Sequence, residues 1–179
     1  MNRQTLKSIA EGMIFAHTEP LSLEVMARAI REVQPQELKL ALDELEREYK
    51  ERSRGFTLEK IAGGYQFRTL PSLQPWISEM KQARPPSRLS RAALETLSIV
   101  AYNQPIARSQ IEQIRGVESA STLKNLLDRE LIAVVGRKDV PGRPLLYGTS
   151  PRFLEVFGLN DLASLPPLPD IEPLAENSE

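Results

Sequence analysis

Few residues in this sequence have the types and spacing that catalysis needs. The single histidine, His17, could act as a general base, but it lies at the end of a predicted helix with no nucleophile beside it. The 179 residues contain no cysteine, which excludes disulfides, thiol chemistry and thiolate metal sites. The chain has no phosphate-binding glycine loop and no GxSxG or HExxH motif. We therefore predict that the protein is not an enzyme and has no cofactor and no metal site.

Basic residues that could contact DNA are concentrated in one short stretch. Arg137, Lys138 and Arg143 surround a Gly-Pro turn, with only Asp139 opposing them. The net charge is −1, and the predicted helix over 36–52 holds six acidic residues against four basic ones. Phosphate contacts from a few such residues are salt-sensitive and carry no base-sequence information. DNA contact should thus be weak and non-specific at most, although a winged-helix DNA-binding transcription regulator stays open as the alternative function.

Protein binding has better candidates. Tyr102, Gln104 and Pro105 combine an aromatic ring, an amide and a rigid turn between two predicted helices, and Arg143 and Tyr147 flank the basic turn. Tyrosine and arginine are enriched among the residues that dominate binding energy at interfaces. An equally good interpretation is a tyrosine half-buried in a small core and an arginine on a surface turn. These five residues are our partner-binding candidates.

The pattern around these candidates is that of a winged helix, a helix-turn-helix core followed by a β-hairpin. Three helical periodicities fill residues 89–131, short strands follow over 132–136 and 145–147, and a last helix closes the unit. Ser90 is the predicted N-cap of the first helix, and Pro105 ends that helix.

Residues 3–82 contain a weaker copy of the same order. Corresponding positions lie 85 residues apart before the hairpins and 80 apart after them, as in Pro20 and Pro105, Met26 and Ile111, Leu38 and Leu123, and Thr69 and Thr149. Alternation over 56–61 and 65–69 predicts a hairpin whose turn is Ala62-Gly63-Gly64, since glycine accepts the positive φ of tight hairpins. The sequence thus predicts an α+β fold, mainly α with small β-hairpins, built from two tandem winged helices.

Composition divides the chain into an N-terminal winged-helix domain over 1–82, a Pro-rich linker over 83–88, a C-terminal winged-helix domain over 89–165 and an acidic, Pro-rich tail over 166–179. From residue 160 onward there are five acidic residues and no basic one, so the tail is predicted to be disordered. Leu159, Leu162 and Leu165 are expected to pack on the second domain.

Bulk composition fits an ordinary globular protein. Hydrophobic residues make up 41% of the chain and charged residues 26%. No apolar run approaches the length of a membrane span, and the N-terminus lacks the basic-then-apolar pattern of a signal peptide. We therefore expect a cytoplasmic protein.

Two stretches carry a family resemblance, LSRAALETLSIVAYNQPIARSQIEQIRGV and GRKDVPGRPLLYGTSPRFLEVFGLNDLASLP, and GFTLEKIAGGYQFRT adds to it. They resemble segregation and condensation protein B, the winged-helix accessory subunit of the bacterial SMC condensin. The similarity spans about residues 3–169 and is most specific over 89–166.

The resemblance implies a homodimer of tandem winged helices that acts in chromosome condensation and segregation during cell division. Its implied partner is the kleisin subunit, a protein of the segregation and condensation protein A type, and through it the SMC ATPase on the nucleoid. It also implies that the second domain holds the kleisin and that the first domain dimerises. The first helix has an apolar face that suits a dimer contact, and our dimerisation candidates are Leu6, Ile9, Met13 and Phe15.

Overall fold

The structure, a computed structural model, describes residues 1–52, 54–80 and 88–168. Most of the predicted linker and most of the predicted tail lie outside these ranges. Within them the chain forms two units, each with its own buried apolar cluster and its own three-stranded antiparallel sheet. The predicted α+β fold class is confirmed.

The first unit starts with helices whose ends are set by short polar side chains. Its elements are α1 (Arg3–Phe15), β1 (Leu21–Ser22), α2 (Leu23–Ile30), α3 (Pro35–Glu51), β2 (Phe56–Ile61), β3 (Gly64–Thr69) and α4 (Gln74–Met80). The side chains of Asn2 and Ser22 accept hydrogen bonds from the first-turn amides of α1 and α2. α3 begins with proline, whose missing N–H costs nothing in the first turn of a helix.

The second unit repeats this order. Its elements are α5 (Arg91–Asn103), β4 (Ile106–Ala107), α6 (Arg108–Arg115), α7 (Ala120–Asp128), β5 (Ile132–Arg137), β6 (Leu145–Thr149) and α8 (Pro151–Phe157). As predicted, Ser90 caps α5, because its Oγ accepts a hydrogen bond from the Ala93 amide at 3.2 Å. Gly116 and Gly158 end α6 and α8 in the left-handed conformation that glycine adopts without strain.

Both sheets have the strand order of a winged helix. The short strand after the first helix pairs with the return strand of the hairpin, giving the orders β1-β3-β2 and β4-β6-β5. The hairpins β2–β3 and β5–β6 are the two wings. Three helices and a three-stranded sheet therefore enclose each core, and the prediction of two winged helices is confirmed.

The helices bury the faces that their periodicity predicts. In the first unit α1 buries Leu6, Ala10 and Ile14, and α3 buries Leu38 and Leu42. The corresponding cluster of the second unit is formed chiefly by Ala93, Leu97, Val100, Ile111, Leu123, Leu126 and Phe153. Burial of these side chains is the main stabilising term, at roughly 1.5–3 kcal/mol for each large apolar residue.

The turn of the first wing differs from the prediction. It consists of two residues, Ala62 and Gly63, with φ of 48° and 73°, while Gly64 is the first residue of β3. Gly64 is needed for a different reason, since a Cβ there would lie 2.8 Å from the carbonyl carbon of Pro20. The glycine thus allows β1 and β3 to approach rather than allowing a positive φ.

The register of the sheets confirms the predicted offsets before and after the wings and adds one between them. α2 and α6 lie 85 positions apart, as predicted. In the sheets, however, Tyr65 pairs with Leu21 and Tyr147 pairs with Ile106, so these two tyrosines are equivalent at an offset of 82. The offset is 80, as predicted, at the ends of the return strands, where Thr69 and Thr149 pair with the first residues of β2 and β5. The return strand runs four residues from Tyr65 to Thr69 but only two from Tyr147 to Thr149, which accounts for the change from 82 to 80.

Gly64→Ala should destabilise the protein by about 1–3 kcal/mol, because the new methyl group meets backbone that cannot move without separating β1 from β3. Urea denaturation followed by circular dichroism measures this change.

Gly136→Ala is the matched control, because Gly136 lies in a wing strand as Gly64 does and a Cβ there meets nothing within 4 Å. Replacing a glycine inside a strand by alanine should stabilise the protein by about 0.5–1 kcal/mol. Equal midpoints for the two variants would contradict the close approach at Gly64.

Candidate protein-binding groove

An apolar groove lies on the second unit between α5 and α8. The cavity has a volume of about 280 Å³ and includes Leu94 and Tyr102 of α5, Phe153 and Phe157 of α8, and Leu165 from the segment after α8. Leu94 and Phe157 are each 45% exposed, and Tyr102 is 36% exposed. The groove thus offers apolar side chains to solvent in a concave site, which is the property of a surface that another protein covers.

α5 forms one wall of the groove because its apolar stripe is wider than its core face. Leu97 and Val100 face the core, whereas Leu94, Ser98 and Tyr102 follow one another at intervals of four residues beside them. Four-residue spacing stacks side chains along one helix face. The sequence signal for the groove was therefore this second stripe, and our candidate list contained only Tyr102 from it.

α8 forms the opposite wall with two stacked aromatic rings. Phe153 is buried in the core, and the ring of Phe157 lies 4.8 Å from it, measured between centroids. The i, i+4 spacing on a short helix produces this contact. Phe157 thus extends the core outward to the solvent.

The chain after α8 closes one end of the groove. Leu165 and Leu159 pack on the second core as predicted, but Leu162 is exposed, so its predicted packing is wrong. Leu162 instead begins the turn of 3₁₀ helix Leu162–Ser164, which Asp161 caps by accepting hydrogen bonds from the Ser164 amide at 3.0 Å and the Ser164 hydroxyl at 2.9 Å. The Ser164 side chain, more than any other contact, lowers the pKa of Asp161 below its usual value.

Tyr102 binds this closing segment directly. Its hydroxyl donates a hydrogen bond to the Pro166 carbonyl at 2.6 Å, so the ring stays at the edge of the groove. Of the five partner-binding candidates, Tyr102 is therefore the one that the structure places in the groove.

Gln104 and Pro105 connect α5 to the sheet. The Gln104 carbonyl oxygen accepts hydrogen bonds from the Thr149 amide at 2.7 Å and the Thr149 hydroxyl at 3.1 Å, and its amide nitrogen donates to the Ala101 carbonyl at 3.1 Å. Pro105 follows through a cis peptide bond and is exposed. Both functional ends of the Gln104 amide are thus satisfied within the chain, and its contacts hold the fold together.

Tyr147 and Arg143 lie elsewhere in the second wing. Tyr147 is only 8% exposed and belongs to the core, like its counterpart Tyr65 in the first unit. Arg143 is exposed at the tip of the wing, in a turn closed by a 2.9 Å hydrogen bond from its amide to the Val140 carbonyl. Gly142 has φ of 82° in that turn. The structure does not bring either residue to the groove.

The four dimerisation candidates differ in exposure. Leu6 is buried in the first core, so it is not available to a partner. Met13 is half-buried against that core, while Ile9 and Phe15 are 37% and 78% exposed. An apolar surface on α1 therefore consists of Ile9 and Phe15 with part of Met13.

The most conspicuous ionisable cluster serves to join α1 to α3. Lys7 pairs with Glu48, and the Tyr49 hydroxyl donates to Glu11. The pKa of Tyr49 is raised to about 12, chiefly by burial and next by the contact with Glu11. The cluster borders a small cavity of about 210 Å³ with acidic and basic groups already paired across it. Its contacts are those of helix packing, not of a reactive site.

Within residues 1–52, 54–80 and 88–168, no three His, Asp or Glu side chains converge in a way that could hold a metal ion. The helices described there are too short or too polar to cross a membrane. The Nδ1 atom of His17 lies 2.9 Å from the backbone oxygen of Glu19, a local contact at the end of α1.

Two winged helices with an open apolar groove define a protein of the tandem winged-helix class with a surface suited to a protein partner. The chain matches the family model described as segregation and condensation complex subunit ScpB over residues 8–168. It is 48% identical over 179 residues to segregation and condensation protein B of Syntrophotalea carbinolica, covering 100% of this chain and 90% of that protein. A homolog in Coxiella burnetii is 43% identical over 175 residues, covering 96% and 82%. The chain belongs to the segregation and condensation protein B family.

Two solved structures are also similar to this chain. ScpB from Mycobacterium tuberculosis is 29% identical, with a TM-score of 0.43, and the match covers 89% of this chain and 98% of that one. A dimer of the ScpB N-terminal domain complexed with ScpA peptide is 29% identical, with a TM-score of 0.40 and coverage of 43% and 95%. The family assignment depends on the sequence matches alone.

Gln104→Ala should destabilise the protein by about 1–3 kcal/mol, because it leaves the Thr149 amide without its acceptor. Asn103→Ala is the matched control, since the Asn103 side chain donates only to the Ile99 carbonyl on the exposed side of α5. The control should change stability by no more than about 0.5 kcal/mol. Urea denaturation of both variants tests the assignment, and equal losses would show that the Gln104–Thr149 contact is not special.

Proposed function

We propose that this protein is a non-enzymatic accessory subunit of a bacterial SMC–kleisin complex, in which it acts in chromosome condensation and segregation during cell division. It acts as a homodimer that binds the kleisin subunit and, through the kleisin, the SMC ATPase. The observation that supports this function best is the open apolar groove of the second unit in a chain whose full length matches the family. The unit over 1–82 dimerises, and the unit over 89–165, which follows the 83–88 linker, binds the kleisin.

The groove suits an apolar segment of the kleisin. Covering the exposed halves of Leu94 and Phe157 with apolar side chains contributes roughly 1 kcal/mol each. Tyr102 adds an aromatic edge and a polar tip, as in many protein interfaces. Arg91, one helical turn before Leu94, is almost fully exposed and pairs with Glu95 at 3.1 Å, so a rim of both charges borders the apolar anchors.

Homodimerisation is assigned to the first unit. In this chain the exposed apolar residues Ile9 and Phe15, with the half-buried Met13, form the surface of α1 that a second copy would cover.

The alternative function, a transcription regulator, has less support. The helix of a winged-helix regulator that enters the DNA groove needs free basic side chains. In α3 the face toward α1 is instead acidic, with Glu44 and Glu48 paired to Arg3 and Lys7. The exposed basic residues of the second wing favour, at most, weak and salt-sensitive DNA contact.

Leu94→Glu should weaken binding of the kleisin by at least about tenfold, because a carboxylate would be buried in an apolar groove. Titration of the full-length protein with purified kleisin from the same organism, by calorimetry, measures the affinity.

Val140→Glu is the matched control in the second wing, and it should bind as the wild type does. Gly142→Val strains a φ of 82° and moves the wing tip, so it tests whether the wing contributes to kleisin binding. If Gly142→Val loses binding while Leu94→Glu retains it, the partner surface is the wing and not the groove. A tight, sequence-selective mobility shift with duplex DNA would favour the regulator instead.

The double variant Ile9→Glu, Phe15→Glu should be monomeric and folded, because both side chains project from α1 into solvent within the protomer. Leu40→Glu, an exposed apolar position on α3, is the control and should stay dimeric. Light scattering at micromolar concentration distinguishes these states. A folded double variant that remains dimeric would place the dimer contact elsewhere.

A further inference from the structure

The first wing contacts the second unit through its backbone. The amides of Ala62 and Gly63, the two turn residues, donate hydrogen bonds to the carbonyls of Leu159 and Asn160, each at 2.9 Å. These two carbonyls belong to the segment that follows α8. The tip of one wing therefore meets the chain just beyond the last helix of the other unit.

This contact satisfies polar groups that both partners leave open. A two-residue hairpin turn points its own amides away from the strand ladder, and the carbonyls of Leu159 and Asn160 lie after α8, outside any helix or strand. Arg68 of β3 adds a further hydrogen bond between the two units, because its guanidinium donates to the Glu155 carbonyl in the last turn of α8 at 3.0 Å. A cation at this end of a helix also interacts favourably with the helix dipole.

Gln66 extends the same contact to the loop after α1. Its side-chain amide donates to the Thr18 carbonyl at 2.8 Å and lies 3.4 Å from the carboxylate of Glu155. An open cavity of about 480 Å³, lined by Pro20, Ala62 and Pro151 among others, remains beside these bonds. A small polar contact next to an open cavity can separate without exposing either apolar core.

We propose that the first wing is a reversible latch that holds the two units in one arrangement and fixes the closing segment of the groove. The latched residues Leu159 and Asn160 directly precede the Asp161 cap, and the same segment continues to Leu165 and Pro166 in the groove wall. Release of the wing frees the start of this segment and loosens its end. The latch is a property of the chain alone and does not depend on the identity of the partner.

Amide hydrogen exchange of the full-length protein, followed by nuclear magnetic resonance, tests the latch. The amides of Ala62 and Gly63 should exchange at least about tenfold more slowly than an unstructured chain. Relaxation of ¹⁵N should give the two units a common rotational correlation time. Exchange at the unstructured rate, or separate correlation times, would overturn the proposal.

The double variant Gln66→Ala, Arg68→Ala removes the side-chain contacts and leaves both cores intact. It should raise the exchange rates of Ala62 and Gly63 about tenfold, and those of Leu159 and Leu165 should rise with them. Wing amides that stay protected in the double variant would mean that the first wing protects them by itself, and the latch would be refuted. Unchanged rates at Leu165 would refute the link to the groove.

Arg137→Ala is the matched control. Arg137 also lies on a wing strand and donates to a backbone carbonyl, that of Arg143 at 3.1 Å, but within its own wing. This variant should leave the exchange of Ala62, Gly63 and Leu165 unchanged. An equal increase in the control would mean that the double variant acts through general destabilisation, and the latch would again be refuted.

Discussion

The pairing of one very short strand with the return strand of each wing is the constraint on which the rest of this structure depends. β1 and β4 are two residues long, yet each fixes the end of the first helix, the start of the second helix and the position of the wing at one place. Tyr65 and Tyr147 bury their rings at this pairing. Because the pairing strands are so short, close contacts must hold them, and Gly64 and Gln104 provide such contacts in the two units by different means. In the first unit, the absence of a Cβ at Gly64 lets the strands approach each other. In the second unit, Gln104 adds a side-chain hydrogen bond to the return strand.

The sequence predicted the helices and wings because apolar periodicity is decided by burial, which residues such as Met26, Leu38, Ile111 and Leu123 report directly. It failed where one residue type serves two purposes. Glycine at 64 was interpreted as a turn residue, although the structure uses it for close approach of two strands. For Tyr147 the sequence left a contact residue and a core residue equally open, because a tyrosine suits either environment, and the structure buries it. The bulge in β5 between Val134 and Gly136 could not be predicted either, since a bulge has no sequence signature of its own.

The groove illustrates a different limit. Each of its walls is a local pattern that the sequence contains, the second stripe of α5 and the pair Phe153–Phe157. What could not be predicted is that the segment ending at Pro166 returns to α5, where Tyr102 binds it. This contact joins residues 64 positions apart and depends on the left-handed turn at Gly158 and the cap at Asp161. Long-range closure of this kind is fixed by tertiary packing, so periodicity alone identified one of the groove residues and not the site.

The two units use equivalent elements for different purposes. In the first unit, the third helix gives its acidic side chains to α1, and the turn of the wing gives its amides to the second unit. The turn of the first wing is thus engaged within the chain, and two acidic side chains of the third helix are paired with α1. The second unit keeps its wing free but turns the open side of its first helix into an apolar groove. Basic residues at a free wing tip then add at most non-specific contact, while the exposed apolar area lies on α1, α5 and α8, where proteins rather than phosphates fit.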